Sequence, residues 1–115
     1  MGKRSIHRVV LIAAVSVTGL AGLGAAAEAP EAIGVQLFQF RPGQVEVPKG
    51  SRITWTNQDE ITHTVTSGTP EKRDGRFRVE LAGKGATASV ELEASGTYPY
   101  FCERHNSMPG EIRVP

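Results

Sequence analysis

Acidic residues are absent from the first 27 positions of the chain, although the 115 residues contain 12 of them. The same segment has three basic residues among its first eight positions and continues as an apolar stretch that ends in three alanines at Ala27. A basic head, an apolar middle and a small-residue exit are typical of a secretory signal peptide. We therefore predict a cleaved signal peptide over residues 1–27 and one domain over residues 28–115, located in the periplasm or otherwise exported. A retained membrane anchor is the alternative.

Runs of lysine or arginine are also missing, which argues against nucleic-acid binding. Of the 13 basic residues, 10 lie after position 27 together with all 12 acidic ones, so the formal charge changes from +1 for the whole chain to −2 for the predicted mature domain. A mature chain of about 88 residues has room for a single small domain and one hydrophobic core.

Cysteine is nearly absent, since Cys102 is the only one in the chain. A single cysteine excludes an internal disulfide, although small exported domains often depend on disulfides. Covalent haem attachment needs a Cys-x-x-Cys-His motif, and structural zinc sites need more cysteines or histidines in paired spacings. An unpaired thiol in an oxidising compartment is oxidised unless it is buried or bound. The Cys102 thiol therefore needs an explanation.

Helical periodicity is lacking throughout the predicted domain. Short segments instead alternate apolar and polar residues and are separated by glycine and proline turns, which is typical of a β-sandwich or barrel. A long polar loop is expected over residues 67–76. The fold class is all-β, with about eight short strands predicted at 33–40, 45–47, 53–56, 63–66, 77–81, 88–92, 96–102 and 110–114.

Aromatic residues make up only 6% of the chain. In a small β-sandwich such side chains usually pack in the core, because each buries a large apolar area. We expect a core role for Trp55, Phe38, Phe40, Phe77, Tyr98 and Phe101.

Four side chains after position 27 can bind a soft metal, namely Cys102, Met108, His63 and His105. Three of them lie within seven residues as Cys-x-x-His-x-x-Met, and His63 begins a predicted strand beside a polar loop. A thiolate and two imidazoles in a plane, with a thioether as a weak axial ligand, form the blue-copper electron-transfer site. Alone, each residue is more often a core filler or a loop cap, but together they predict a type 1 copper site.

This ligand set suits a diffusible carrier of single electrons, because it is intermediate between the preferences of Cu(I) and Cu(II). Two other chemistries remain as weaker alternatives for these residues: a structural zinc site, and nucleophilic catalysis by the Cys102 thiol with His105 as its base. Copper storage or delivery and a redox enzyme are the competing functions. No cofactor motif or second metal site supports the enzyme.

The ligand motif resembles that of the cupredoxins, the plastocyanin/azurin superfamily of blue-copper proteins, and its short spacing is most similar to the amicyanins. The resemblance extends over nearly all of the predicted domain and includes Phe40-x-Pro42, Pro48-x-Gly50, Ile53-Thr-Trp-Thr-Asn57, His63-Thr-Val65, Gly96-Thr-Tyr98 and Met108-x-Gly110-x-Ile112.

The resemblance implies a Greek-key β-sandwich that holds one copper ion at one end. His63, Cys102 and His105 would be the strong ligands, Met108 the axial one, and the ring edge of His105 the port for electrons. Asn57 would not touch the metal but would direct its backbone N–H at the Cys102 sulfur. The protein would be a monomer that transiently meets electron-donor and electron-acceptor redox proteins.

Two residues depart from the amicyanin pattern. Amicyanin-like loops carry a small hydroxyl residue after the cysteine and a proline before the second histidine, where this chain has Glu103 and Arg104. The side chain of Asn57 is therefore expected to lack its usual hydroxyl partner, and the loop loses the stiffness of proline.

Overall fold

The computed structural model describes residues 30–115, which form nine β-strands, and the predicted signal peptide lies outside the described residues. None of the described residues belongs to a helix long and apolar enough to cross a membrane. The strands are β1 (Pro30–Gln36), β2 (Gln39–Arg41), β3 (Gln44–Glu46), β4 (Ser51–Asn57), β5 (His63–Thr69), β6 (Lys72–Leu81), β7 (Thr87–Leu92), β8 (Gly96–Cys102) and β9 (His105–Val114).

The strands form two sheets, which confirms the all-β prediction. One sheet has the order β2-β1-β4-β7 and the other the order β3-β9-β8-β5-β6. The pairs β1–β4 and β3–β9 are parallel and the others are antiparallel. The chain crosses between the sheets five times, so neighbours within a sheet come from distant parts of the sequence. These crossings bring the end of β8 beside the start of β5, although the two lie almost 40 residues apart.

The inward faces of both sheets share one hydrophobic core around Trp55, which is fully buried. The Trp55 indole packs edge-on against the Tyr100 ring at a centroid separation of 5.5 Å, and Tyr100 packs likewise against Phe40 at 4.8 Å. In β4, burial alternates residue by residue around Trp55, as the period-two pattern predicts. The predicted core position is thus confirmed for Trp55 and Phe40, and equally for Tyr98 and Phe101.

Two strand predictions were wrong in their boundaries. The expected polar loop over 67–76 is mostly the hairpin of β5 and β6, which pair beyond a bulge as far as Thr69 opposite Lys72. The expected single strand over 33–40 is split into β1 and β2, which pair as an antiparallel hairpin around Leu37 and Phe38. Residues 67–76 are mostly polar or glycine and show too little apolar alternation for their sequence to distinguish a hairpin from a loop.

Phe38 was wrongly expected in the core, since half of its surface is exposed. Both Phe38 and its neighbour Leu37 adopt left-handed backbone conformations, with φ of 60° and 55°. This conformation at both central residues fits the tight turn that joins two antiparallel strands. The turn places the two large side chains outward at the end of the sandwich where His63 and His105 lie.

Gly110 in β9 offers a test of how closely the core is packed. The ring of Tyr100 lies over Gly110 so closely that a Cβ atom there would overlap the ring atoms. We expect Gly110→Ala to destabilise the copper-free protein by about 1–3 kcal/mol, because the buried Tyr100 would have to move. Chemical unfolding followed by circular dichroism measures this loss. Gly34→Ala in β1 is the matched control, since its Cβ would meet no atom closer than 3.8 Å; equal stability of the two variants would contradict the prediction.

Candidate metal centre

Three of the four predicted ligands come together at one end of the sandwich. His63 begins β5, Cys102 ends β8 and His105 begins β9, and their ligand atoms all lie within 4.8 Å of one another. Cys102 and His63 are fully buried, whereas His105 is partly exposed. Cys102 pairs directly with His105 across the turn between β8 and β9. Three strands of one sheet thus fix the positions of the cluster.

The separations within this cluster suit a single transition-metal ion. The Cys102 sulfur lies 3.7 Å from Nδ1 of His63 and 3.6 Å from Nδ1 of His105. Donors roughly 120° apart and about 2.0–2.3 Å from a common ion would lie about 3.6–3.7 Å from one another. Both imidazoles therefore turn Nδ1 toward the thiol. One soft thiolate with two imidazoles is the donor set that blue copper prefers.

Met108 lies on the same strand as His105 and in the same buried core as Cys102. It follows His105 by three residues along β9, is only 1% exposed and belongs to the same buried cluster as Cys102. A buried methionine that lacks strong interactions is free to act as a weak, distant ligand or simply to fill space. Its assignment as the axial ligand stays a prediction.

The backbone donor to the thiolate is not the one expected from the sequence. The N–H of Thr64 donates to the Cys102 sulfur at 3.4 Å, whereas the N–H of Asn57 donates to the carbonyl of Ala86 at 2.9 Å. Topology explains the error. Asn57 ends β4 in the other sheet, while Thr64 lies in β5, which pairs with β8 with Thr66 opposite Phe101.

Asn57 instead organises the loop that leads to His63. Its fully buried side chain donates to the carbonyls of Ile61 and Leu81 at 2.8 and 3.1 Å, and its Oδ1 accepts the N–H of Asp59 at 2.8 Å. All hydrogen-bonding groups of the amide are thereby used without the hydroxyl partner that the resemblance had implied. Asn57 therefore holds the loop between β4 and β5 in shape, and that loop positions His63.

Glu103 stands where amicyanin-like loops carry a small hydroxyl residue, and its side chain points toward strands β5 and β6. Its N–H donates to the hydroxyl of Thr64 at 2.9 Å, while its carboxylate accepts the hydroxyl of Thr66 at 2.6 Å and the guanidinium of Arg78 at 2.8 Å. The hydrogen bonds from Arg78 and Thr66 hold the pKa of Glu103 below its ordinary value, although burial opposes them. The carboxylate is thus ionised at neutral pH and ties the Cys102 loop to β5 and β6.

His63 is oriented by Asp59, a residue that the sequence reasoning missed. Nε2 of His63 lies 2.9 Å from Oδ2 of Asp59, and the imidazole is fully buried. Burial raises the pKa of Asp59, but hydrogen bonds from the Leu37 amide, His63 and the Phe38 amide outweigh it, and the net shift is downward. An ionised carboxylate can only accept hydrogen bonds, so this contact favours a proton on Nε2 of His63 and a free lone pair on Nδ1.

His105 lies under the Phe38 ring. The ring of Phe38 meets that of His105 edge-on at a centroid separation of 4.8 Å and that of His63 at 5.7 Å. Burial lowers the pKa of His105, and the neighbouring His63 and Arg104 lower it further, against an opposing effect of Asp59. A neutral imidazole is the form that binds metal ions, so this environment favours a metal site.

Comparison with known proteins agrees with this geometry. The family model described as copper binding proteins of the plastocyanin/azurin family matches residues 28–115. Among curated proteins, Amicyanin-alpha of Methylorubrum extorquens is 29% identical, and the alignment covers 96% of this chain and 98% of the relative. The chloroplastic plastocyanin of Chlamydomonas reinhardtii is 32% identical, with 97% of this chain and 85% of the relative covered.

Solved structures show the same fold. A purple cupredoxin from Nitrosopumilus maritimus superposes with a TM-score of 0.68 at 24% identity, covering 74% of this chain and 99% of that one. An amicyanin variant superposes with a TM-score of 0.63 at 21% identity, covering 75% of this chain and 82% of that one. These likenesses, together with the two observed sheets, establish the cupredoxin fold.

Proposed function

Since the chain belongs to the plastocyanin/azurin family of copper-binding proteins, we propose that it carries single electrons between redox proteins of the periplasm or another exported compartment. The observation that supports this most is a buried thiol sulfur that lies 3.7 and 3.6 Å from Nδ1 of His63 and of His105. The mature protein would be the monomeric domain 28–115, freed from a signal peptide over residues 1–27.

We assign four ligands to one type 1 copper ion, namely His63, Cys102, His105 and Met108. Copper bound there supplies a one-electron couple between Cu(I) and Cu(II). The three strong donors are fixed by sheet pairing and by the hydrogen bonds of Thr64, Asn57 and Glu103. Ligand atoms held so firmly would move little between the Cu(I) and Cu(II) states. Electron transfer is fast when the ligands need to move so little.

The electron would enter and leave at the end of the sandwich that carries His105. The side chains of Leu37, Phe38 and Ile61 are 65%, 50% and 41% exposed, and they are the exposed large hydrophobic residues of the described part of the chain. Phe38 touches both imidazoles, and Ile61 lies two residues before His63. This apolar patch is small, and small contact areas are typical of brief electron-transfer encounters with donor and acceptor proteins.

We propose an electron carrier without catalytic activity of its own. Amicyanins and plastocyanins are among the curated relatives. The competing function is copper storage or delivery, which would use the same soft ligands but would need a site that exchanges its metal readily. The buried cysteine and the hydrogen-bonded His63 argue for retention of the metal.

Two rates measured on the copper-loaded protein separate the carrier from the storage protein. For the carrier, we expect fast electron self-exchange between the oxidised and reduced forms, together with slow loss of copper to a chelator. Self-exchange is measured by NMR line broadening in mixtures of the two forms, and copper loss by absorbance. Rapid copper loss with slow self-exchange would support storage or delivery instead.

A further inference from the structure

Asp59 is hydrogen-bonded to three groups from two different parts of the chain. Its Oδ1 accepts the N–H of Leu37 at 2.8 Å, and its Oδ2 accepts the N–H of Phe38 at 3.1 Å and Nε2–H of His63 at 2.9 Å. Its side chain is only 13% exposed. One carboxylate therefore links the turn between β1 and β2 to a buried imidazole more than 20 residues away.

The turn needs such a partner because its two central residues are unsuited to their conformation. Leu37 and Phe38 both have positive φ, which glycine and asparagine adopt readily but bulky side chains rarely do. Each such residue is strained relative to an ordinary backbone conformation. The two charge-assisted hydrogen bonds to Asp59 offset that strain.

The position of this turn matters because Phe38 covers the metal-binding end. Its ring lies edge-on against both imidazoles, with centroids at 4.8 Å from His105 and 5.7 Å from His63. The conformation of the turn therefore sets the position of this ring over the two histidines. Asp59 thus acts on one ligand directly and on both through Phe38.

We propose that Asp59 is the positioning residue of the copper site, fixing the Nδ1-binding tautomer of His63 and holding Phe38 against both histidine ligands. This inference rests on the proposed copper-binding function. A carboxylate behind a metal-binding imidazole fixes the ring orientation and raises the basicity of the ligand. Its negative charge also stabilises Cu(II) relative to Cu(I), so it lowers the reduction potential.

The first test compares Asp59→Ala with Glu60→Ala. Glu60 is the adjacent residue, carries the same charge and has a side chain that is 83% exposed, with only a 3.9 Å ion pair to Lys84. We expect Asp59→Ala to lower the Cu(II) affinity roughly 10–100-fold and to raise the reduction potential, whereas the control changes the affinity less than about twofold. Equal affinities and potentials in the two variants would overturn the proposal.

A third variant separates the two actions of Asp59. Phe38→Ala removes the ring but leaves the His63 hydrogen bond in place. We expect it to change the visible spectrum or the potential while it costs less Cu(II) affinity than Asp59→Ala. A loss of affinity as large as that of Asp59→Ala would show that the carboxylate acts only through the turn, and the direct role at His63 would be refuted.

The tautomer is measured without copper and without activity. In ¹⁵N NMR of the copper-free full chain, we expect His63 to carry its proton on Nε2, slowly exchanging with solvent, and to lose this protection in Asp59→Asn or Asp59→Ala. A proton on Nδ1 in the native protein would overturn the proposal even if the alanine variant failed to fold. The expected NMR result with no blue Cu(II) complex would instead refute the proposed function and leave the Asp59–His63 pairing intact.

Discussion

Replacing Cys102 by serine should abolish the blue colour of the Cu(II) protein completely. The colour arises from charge transfer between a thiolate sulfur and Cu(II), and Cys102 is the only thiol in the chain. Serine has nearly the same size, so the fully buried position keeps its packing while the soft ligand is lost. Absorption spectra of the native protein and the variant, each loaded with one equivalent of Cu(II), measure the effect.

Met108→Leu is the matched control for this substitution. Leucine fills a similar volume at the buried position but cannot bind copper, and an axial thioether binds only weakly. We therefore expect Met108→Leu to stay blue and to change only the reduction potential. Persistence of the blue colour in Cys102→Ser, or a complete loss of colour in Met108→Leu, would contradict the ligand roles proposed for these residues.

Trp55→Ala is expected to have the largest effect on stability. The indole is fully buried between the sheets and packs against Tyr100 and Phe77, with ring centroids at 5.5 and 6.1 Å. Truncating such a residue costs about 3–5 kcal/mol, a large part of the 5–15 kcal/mol that stabilises a typical domain. Chemical unfolding of the copper-free protein, followed by circular dichroism, measures the loss.

Copper should partly restore this variant if the folded site is what binds the ion. A ligand at 100 times its dissociation constant adds about 2.7 kcal/mol to stability, so the unfolding midpoint should rise with copper concentration. Trp55→Phe is the control, because it keeps an aromatic ring in the same place and should lose less. A loss below about 1 kcal/mol in Trp55→Ala would show that the core is not organised around this residue.

Most of the architecture was predictable because local patterns and rare residues carry it. The alternation around Trp55 in β4 and in β7 indicates half-buried strands without any knowledge of their partners. His63, Cys102 and His105 could be found because few other residues in the chain bind soft metals. The structure brings all three together, as the sequence predicts.

The features that were missed depend on contacts between distant segments. No glycine or asparagine marks the turn at Leu37 and Phe38, since Asp59 stabilises it from 22 residues away. The N–H of Thr64, and not that of Asn57, donates to the Cys102 sulfur because Thr64 lies in the same sheet as Cys102. A single sequence does not contain this sheet order. Period-two patterns identify strands, but they do not identify which strands are neighbours.

We propose that His63, Cys102 and His105 hold one copper ion through a thiolate bond. The visible absorption spectrum of the copper-loaded protein reports on that bond. We expect one equivalent of Cu(II) to produce an intense blue band that disappears when one electron per copper is added and returns on oxidation. A Cu(II) complex of the correctly folded protein that is colourless would contradict the account.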